Sequence, residues 1–276
     1  MTTNKQSAIS NSAFWRTMRV ELIRAVFSIR FLLGILMTLA WMMLNAAESV
    51  RSYDRAIFAG VVQLIRLGLD GLQSTGSVLL AISTVPYTFS YLAEKECGFN
   101  KQIIERVGMP TYGICKVAAC GTSAFLMGVS ALALYIAVLS AAGIPHTVRY
   151  DEVKGTYAAI AVTMGSGWYY GMKLCHVGLV CSQAAVFSLM VLSFIPNSYV
   201  GFLAPLIGYY MADCILTLLT RIVSGPLWSL VSPMQLFWGQ PLPDIVPSFL
   251  WTLFVLIMLM VFFGICFFIR LRKEHI

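Results

Sequence analysis

The sequence predicts an all-α polytopic membrane protein with six transmembrane helices, and three observations carry that expectation. Hydrophobic residues make up 59% of the chain and charged residues only 11%, where a soluble domain carries about 25% charged residues. Mean hydropathy is +0.80. Apolar runs at 31–47, 76–93, 117–143, 174–195, 199–220 and 248–269 each have the length of a bilayer-crossing helix, roughly 20 residues. In lipid the backbone must pair its own N–H and C=O groups, which a helix does within one segment. Such a bundle uses nearly all of the 276 residues. It leaves no soluble stretch able to build a separate catalytic domain.

Residues 1–11 read as a flexible cytoplasmic tail ahead of a single membrane domain over 12–276. Ser12–Arg30 then has the pattern of an amphipathic helix lying in the membrane interface. Trp15, Met18, Leu22, Ala25, Val26 and Ile29 share one face, and Thr17, Glu21, Arg24 and Ser28 share the other. Arg16, Arg19 and Arg30 flank the apolar stripe at phosphate level. The plainer alternative is a basic extension of the first span. That span is expected to act as an anchor, because no small-residue cleavage pattern follows it. Glu48–Thr75 reads as an outer loop with room for a short surface helix. The second span contains Pro86, which kinks a helix unless a neighbour takes the freed carbonyl.

Glu94–Lys116 is the most informative loop. Its centre, Phe99–Val107, predicts a short helix between Gly98 and the Gly108–Pro110 stop, following the usual glycine-then-proline ending. Phe99, Ile103 and Val107 fall on one side. A stiff helix of mixed charge suits docking on a cytoplasmic partner, which makes Glu94, Glu96, Phe99, Lys101, Ile103, Glu105 and Arg106 the candidate contact residues. Ile144–Lys173 reads as an outer segment, re-entrant or on the surface, ending in the aromatic and glycine cluster Gly165–Gly171. Gly167 and Gly171 have the spacing that lets helices approach closely. Pro196, Asn197 and Ser198 form a tight turn, so the fourth and fifth spans are antiparallel neighbours. In Arg221–Pro247, Pro226, Pro233, Pro241, Pro243 and Pro247 stop any long helix, and Trp228, Phe237 and Trp238 hold the segment at the interface.

Charge sets the orientation. With the N-terminus in the cytoplasm, twelve of the 19 Lys and Arg residues lie inside, at positions 5, 16, 19, 24, 30, 95, 101, 106, 116, 270, 272 and 273. Inner loops carry that excess in membrane proteins. The whole net charge of +7 sits on this side, where anionic headgroups account for it without nucleic acid.

Catalytic and metal chemistry has no matching pattern. Gly108–Lys116 resembles a phosphate loop only superficially, because Ile114 and Cys115 stand where the loop needs Gly-Lys-Ser/Thr. His146, His176 and His275 are scattered, and Cys175, His176 and Cys181 read as packing residues. The seven cysteines give no disulfide framework. Asp213 lies inside the fifth span after Tyr209 and Tyr210. Two readings stand for it: a polar contact along a translocation pathway, or a hydrogen bond to a neighbouring helix or the outer headgroups.

Taken in order, these features resemble the permease subunits of type-2 ATP-binding-cassette (ABC) transporters. The likeness rests on the basic amphipathic helix Phe14–Arg30, the charged segment Glu94–Gly98 through Lys116, the turn Phe194–Gly201 with Pro205 behind it, the proline-containing outer segment and the basic tail. It covers nearly the whole chain, and its motifs are loose. The resemblance implies that the segment after the second span is the coupling helix. It also implies a second permease subunit, as a homodimer or pseudo-heterodimer, and a separate cytoplasmic ATPase that holds ATP and Mg. The expected location is the bacterial plasma membrane with both termini cytoplasmic, and the expected role is export without catalysis by this chain. The chain departs from larger relatives in lacking a big extracellular domain. An ATP-independent channel or secondary carrier is the alternative, and an intramembrane enzyme would need a nucleophile and base that the spans do not show.

Overall fold

A computed structural model describes residues 2–52, 60–70, 78–146, 160, 164–222 and 245–275, and among these the backbone is helical and free of strands. The helices are α1 (Thr2–Val26), α2 (Ile29–Ser52), α3 (Val61–Asp70), α4 (Val78–Ile82), α5 (Thr88–Glu96), α6 (Phe99–Val107), α7 (Met109–Ala141), α8 (Ser166–Phe194), α9 (Ser198–Ile222) and α10 (Ile245–His275). Five contain stretches long and apolar enough to cross a membrane: Ile29–Ala47, Met109–Ala141, Ser166–Phe194, Ser198–Leu219 and Pro247–Glu274. The protein is therefore a multi-pass helical membrane protein. The Arg221–Pro247 prolines before Pro247, with Trp228, Phe237 and Trp238, lie outside the described residues.

The expected continuous span at 76–93 is instead two short helices, α4 and α5, separated by turns at Ser83–Tyr87. Pro86 has no N–H to give to the carbonyl of Ile82, and Val85 N–H takes that carbonyl at 3.0 Å. Ser83 and Thr84 add hydroxyl donors to the carbonyls of Leu80 (2.6 Å) and Ala81 (2.8 Å), a local competition that loosens a helix. Irregular backbone is tolerated at membrane depth only where protein covers it. Leu79–Thr84 and Tyr87–Thr88 are buried, with α2, α8 and α9 packed around α4.

Two other helices start earlier than hydropathy suggests. α7 begins at Met109 rather than 117, with Pro110 in its first turn, where proline is well tolerated. α8 begins at Ser166 rather than 174 and takes Gly167–Gly171 into a regular helix, so that cluster is not a re-entrant segment. Among the described residues, a Cβ at Gly167 or Gly171 would meet nothing within 4 Å, so neither glycine mediates close packing between these helices. α3 is also not a surface helix. Val61, Val62, Leu64, Ile65 and Leu69 are buried. Asn45 Nδ2 donates to the Gly68 carbonyl (3.1 Å) and Tyr135 OH to the Leu64 carbonyl (3.0 Å).

α1 runs back to Thr2, through the stretch that composition assigns to a flexible tail. Its inward face also differs from the expected one. Glu21 and Ala25 are buried, with Phe14, Thr17, Met18 and Leu22 half-buried beside them. Trp15 is 68% exposed. The carboxylate of Glu21 turns the helix, because α7 offers it a cation.

The centre of the bundle is the seam between α7 and α8, the most extensive helix contact. Gly121, Gly128 and Gly178 let the two backbones approach. A Cβ on Gly128 would lie 2.9 Å from Cys181 Sγ and 3.4 Å from the Val177 carbonyl oxygen. Overpacking such a site costs about 1–3 kcal/mol. Gly128→Leu should therefore lower the melting temperature in detergent by several degrees, while Gly171→Leu, which meets open space, should leave it nearly unchanged. Equal shifts in both variants would refute the seam as the packing centre.

Candidate functional site

Among the described residues Lys116 is the most deeply buried charged side chain. It lies seven residues into α7, about 10 Å along the helix axis, and is 1% exposed. A buried ammonium needs oxygen partners and opposite charge, and α1, α5 and the turn before α5 supply them. Its Nζ lies 3.1 Å from Glu21 Oε2 of α1 and 2.6 Å from Glu94 Oε1 of α5. It reaches Tyr87 OH and Ser90 Oγ, both at 2.9 Å. Its three N–H donors are thus shared among four oxygens. The ring of Tyr87 stands 4.8 Å from Nζ and that of Tyr112 5.8 Å, close enough for cation–π attraction. Tyr112 OH donates to the other oxygen of Glu94 at 2.9 Å. The cluster ties α1, the end of α5 and the start of α7 into one block.

Around this block sits the end of the bundle that carries the clustered positive charge. Lys95 Nζ pairs with Glu274 at 2.8 Å, and the rings of Tyr91 and Phe267 meet edge-on at 5.2 Å. α5 and the end of α10 are joined there. Gly113 of α7 faces Phe268 and Leu271 of α10. α1, α5, α6, the start of α7 and the end of α10 therefore share one end.

α6 is bracketed by Gly98 (φ +69°) and Gly108 (φ +84°), both in the left-handed region that glycine reaches without strain. Ile103, Ile104 and Val107 pack against the core. Asn100 is buried and its Oδ1 accepts from Lys101 N–H at 2.8 Å. Lys101, Glu105 and Arg106 point outward. Of the other residues expected to meet a partner, Glu96 is exposed and Phe99 is 42% exposed rather than packed beside Ile103. Glu94 is directed into the Lys116 cluster, with its side chain 12% exposed.

Asp213 is not part of this site. It is half-buried in α9, one turn after Tyr209. Tyr209 lines a cavity of about 270 Å³ with Gln183 of α8, Pro205 of α9 and Leu256 of α10. Cavities with apolar walls and few polar groups are usual ligand sites. Among the described residues no three His, Cys, Asp or Glu side chains are placed to hold a metal ion.

Sequence reasoning placed Lys116 in a loop and Glu21 on the face opposite the apolar stripe. The available signal was the setting of Lys116, between Ile114-Cys115 and the apolar run from Val117. A charge within a membrane helix needs a partner. The chain was compared with protein-family models, with curated proteins and with solved structures, and none of the three gives a match.

Removing one partner of a buried ion pair strands the other, at a cost of about 3–5 kcal/mol. Lys116→Met should therefore lower stability sharply, and Glu21→Gln alone should do so less, because Glu94 still pairs the lysine. The triple variant E21Q/E94Q/K116M should recover part of the loss. Thermal unfolding in detergent measures all three, and a K116M protein as stable as the parent would remove the cluster from any holding role.

Proposed function

We propose that this chain is the membrane-spanning permease subunit of an ATP-driven ABC exporter, working with a separate cytoplasmic ATPase. The observation that carries the reading is α6. It is a short helix with Lys101, Glu105 and Arg106 facing outward, standing on a block that Lys116 fixes to α1, α5 and α7. A partner pressing on α6 would move that block as a rigid body. ATP and Mg belong to the partner, because the sequence offers no phosphate loop.

Six crossings fit the placement of the ends. α1 and the end of α10 lie at the same end of the bundle, through the Glu21–Lys116 and Lys95–Glu274 pairs. An even number of crossings returns the chain to its starting side, and α4 with α5 supplies the sixth. The positive end is cytoplasmic by the distribution of lysine and arginine, with α1 lying along that surface. A bacterial plasma membrane and a second permease copy, identical or related, complete the reading.

The cavity beside Gln183 and Tyr209 favours amphipathic or lipid-like cargo, since its walls are nearly all apolar. It also supports a second reading, an ATP-independent carrier with Asp213 near its pathway.

The double variant K101E/R106E should still insert in the membrane, because both side chains are exposed, yet it should lose co-purification with the ATPase. Cargo release from vesicles should stop when the partner's ATPase is disabled. Undiminished release under that condition would transfer the assignment to the carrier.

A further inference from the structure

A second feature opens to the outside of the bundle. Between α7 and α10, on the half of the bundle nearest the positive end, runs an open groove of about 660 Å³. Ile114, Ala118 and Thr122 form one wall, Val261, Ile265 and Phe268 the other. Glycines cut it out. A Cβ on Gly264 would sit 3.1 Å from Val117, and one on Gly113 would sit 3.0 Å from Phe268. At these places the two helices touch, and larger side chains would push them apart.

The groove has a length, a chemistry and a charged end. From Gly113 to Phe125 of α7 it covers thirteen residues, about 18 Å of helix from first to last. One leaflet of a hydrocarbon core about 30 Å thick is about 15 Å deep, so the slot is one leaflet long. Its hydroxyl donors are already used. Thr122 Oγ1 donates to the Ala118 carbonyl, and Ser182 Oγ donates to Met260 Sδ at 3.1 Å. An extended peptide laid there would find almost no partners for its N–H and C=O groups, whereas a hydrocarbon chain needs none. Arg272 is exposed one turn beyond Phe268 on the same face of α10, followed by Lys273. Arginine at that depth forms charge-assisted, often bidentate bonds to phosphate.

We propose that this groove binds one acyl chain of an anionic phospholipid from the bilayer, with Arg272 holding its phosphate. The inference does not depend on the permease reading. The lipid fills the gap between α7 and α10 as a structural ligand, in the leaflet that contacts the positive end.

Native mass spectrometry of the full chain, released from bilayers of phosphatidylglycerol or phosphatidylcholine through a delipidating detergent, tests it. The parent should keep one phosphatidylglycerol per chain in preference to phosphatidylcholine. Ala118→Phe and Val261→Phe each fill the slot from a lipid-facing position and should lower the retained fraction about tenfold, the size of effect expected from losing a few buried methylenes. Arg272→Gln should keep a lipid but lose the preference for the anionic one. Equal retention in the parent and in both filled variants, each still folded by its melting profile, would overturn the proposal. So would efficient disulfide cross-linking of Ile114→Cys between two chains in the membrane, which would make the occupant a second copy.

Discussion

The burial of one ammonium group organises the positive end of this molecule. Lys116 lies two turns inside a helix that otherwise reads as a membrane span, and its charge cannot remain there alone. Glu21 and Glu94 come from helices far apart in sequence to meet it. The rotation of α1 and the inward turn of Glu94 follow from that one requirement. Ion pairs of this kind add little net stability over a well-packed apolar core. They restrict which arrangements are tolerable, because any motion separating α1 from α7 exposes a buried charge.

The same accounting governs the uncharged backbone. Where Pro86 breaks the second crossing, the freed carbonyl and the hydroxyls of Ser83 and Thr84 are satisfied locally, and neighbouring helices exclude lipid. At the other end of the bundle, Asn45 and Tyr135 donate to carbonyls of α3. A helix that hydropathy assigns to the surface is held inside by polar contacts to its main chain.

Much of this fold was legible in the sequence because hydropathy and punctuation report local chemistry. The glycines at 98 and 108 mark the bounds of α6, and the Pro-Asn-Ser turn marks the junction of α8 and α9. What periodicity could not show was partnership. An amphipathic pattern tells which residues share a face but not which face finds a counter-charge, so Glu21 was set on the face opposite the apolar stripe. A hydropathy window averages over Pro86 and returns a continuous span where the backbone is broken. It also cannot see that α7 and α8 continue as helices past their apolar cores, which moved Lys116 from a loop into a helix. Of the candidate contact residues, Lys101, Glu105 and Arg106 were placed by simple helical geometry. Phe99 and Glu94 depended on tertiary neighbours that the sequence does not name.

The glycine seam has a mechanical consequence. Two helices whose main chains nearly touch form a stiff spine, and stiffness is unevenly distributed around it: 67% of the apolar window of α8 is buried, against 11% of that of α9. Amide protons along α7 and α8 should be the last to exchange with deuterium, and those of α9 should exchange sooner. Any rearrangement of this bundle is therefore expected to begin as α9 sliding over a fixed spine, not as the core coming apart.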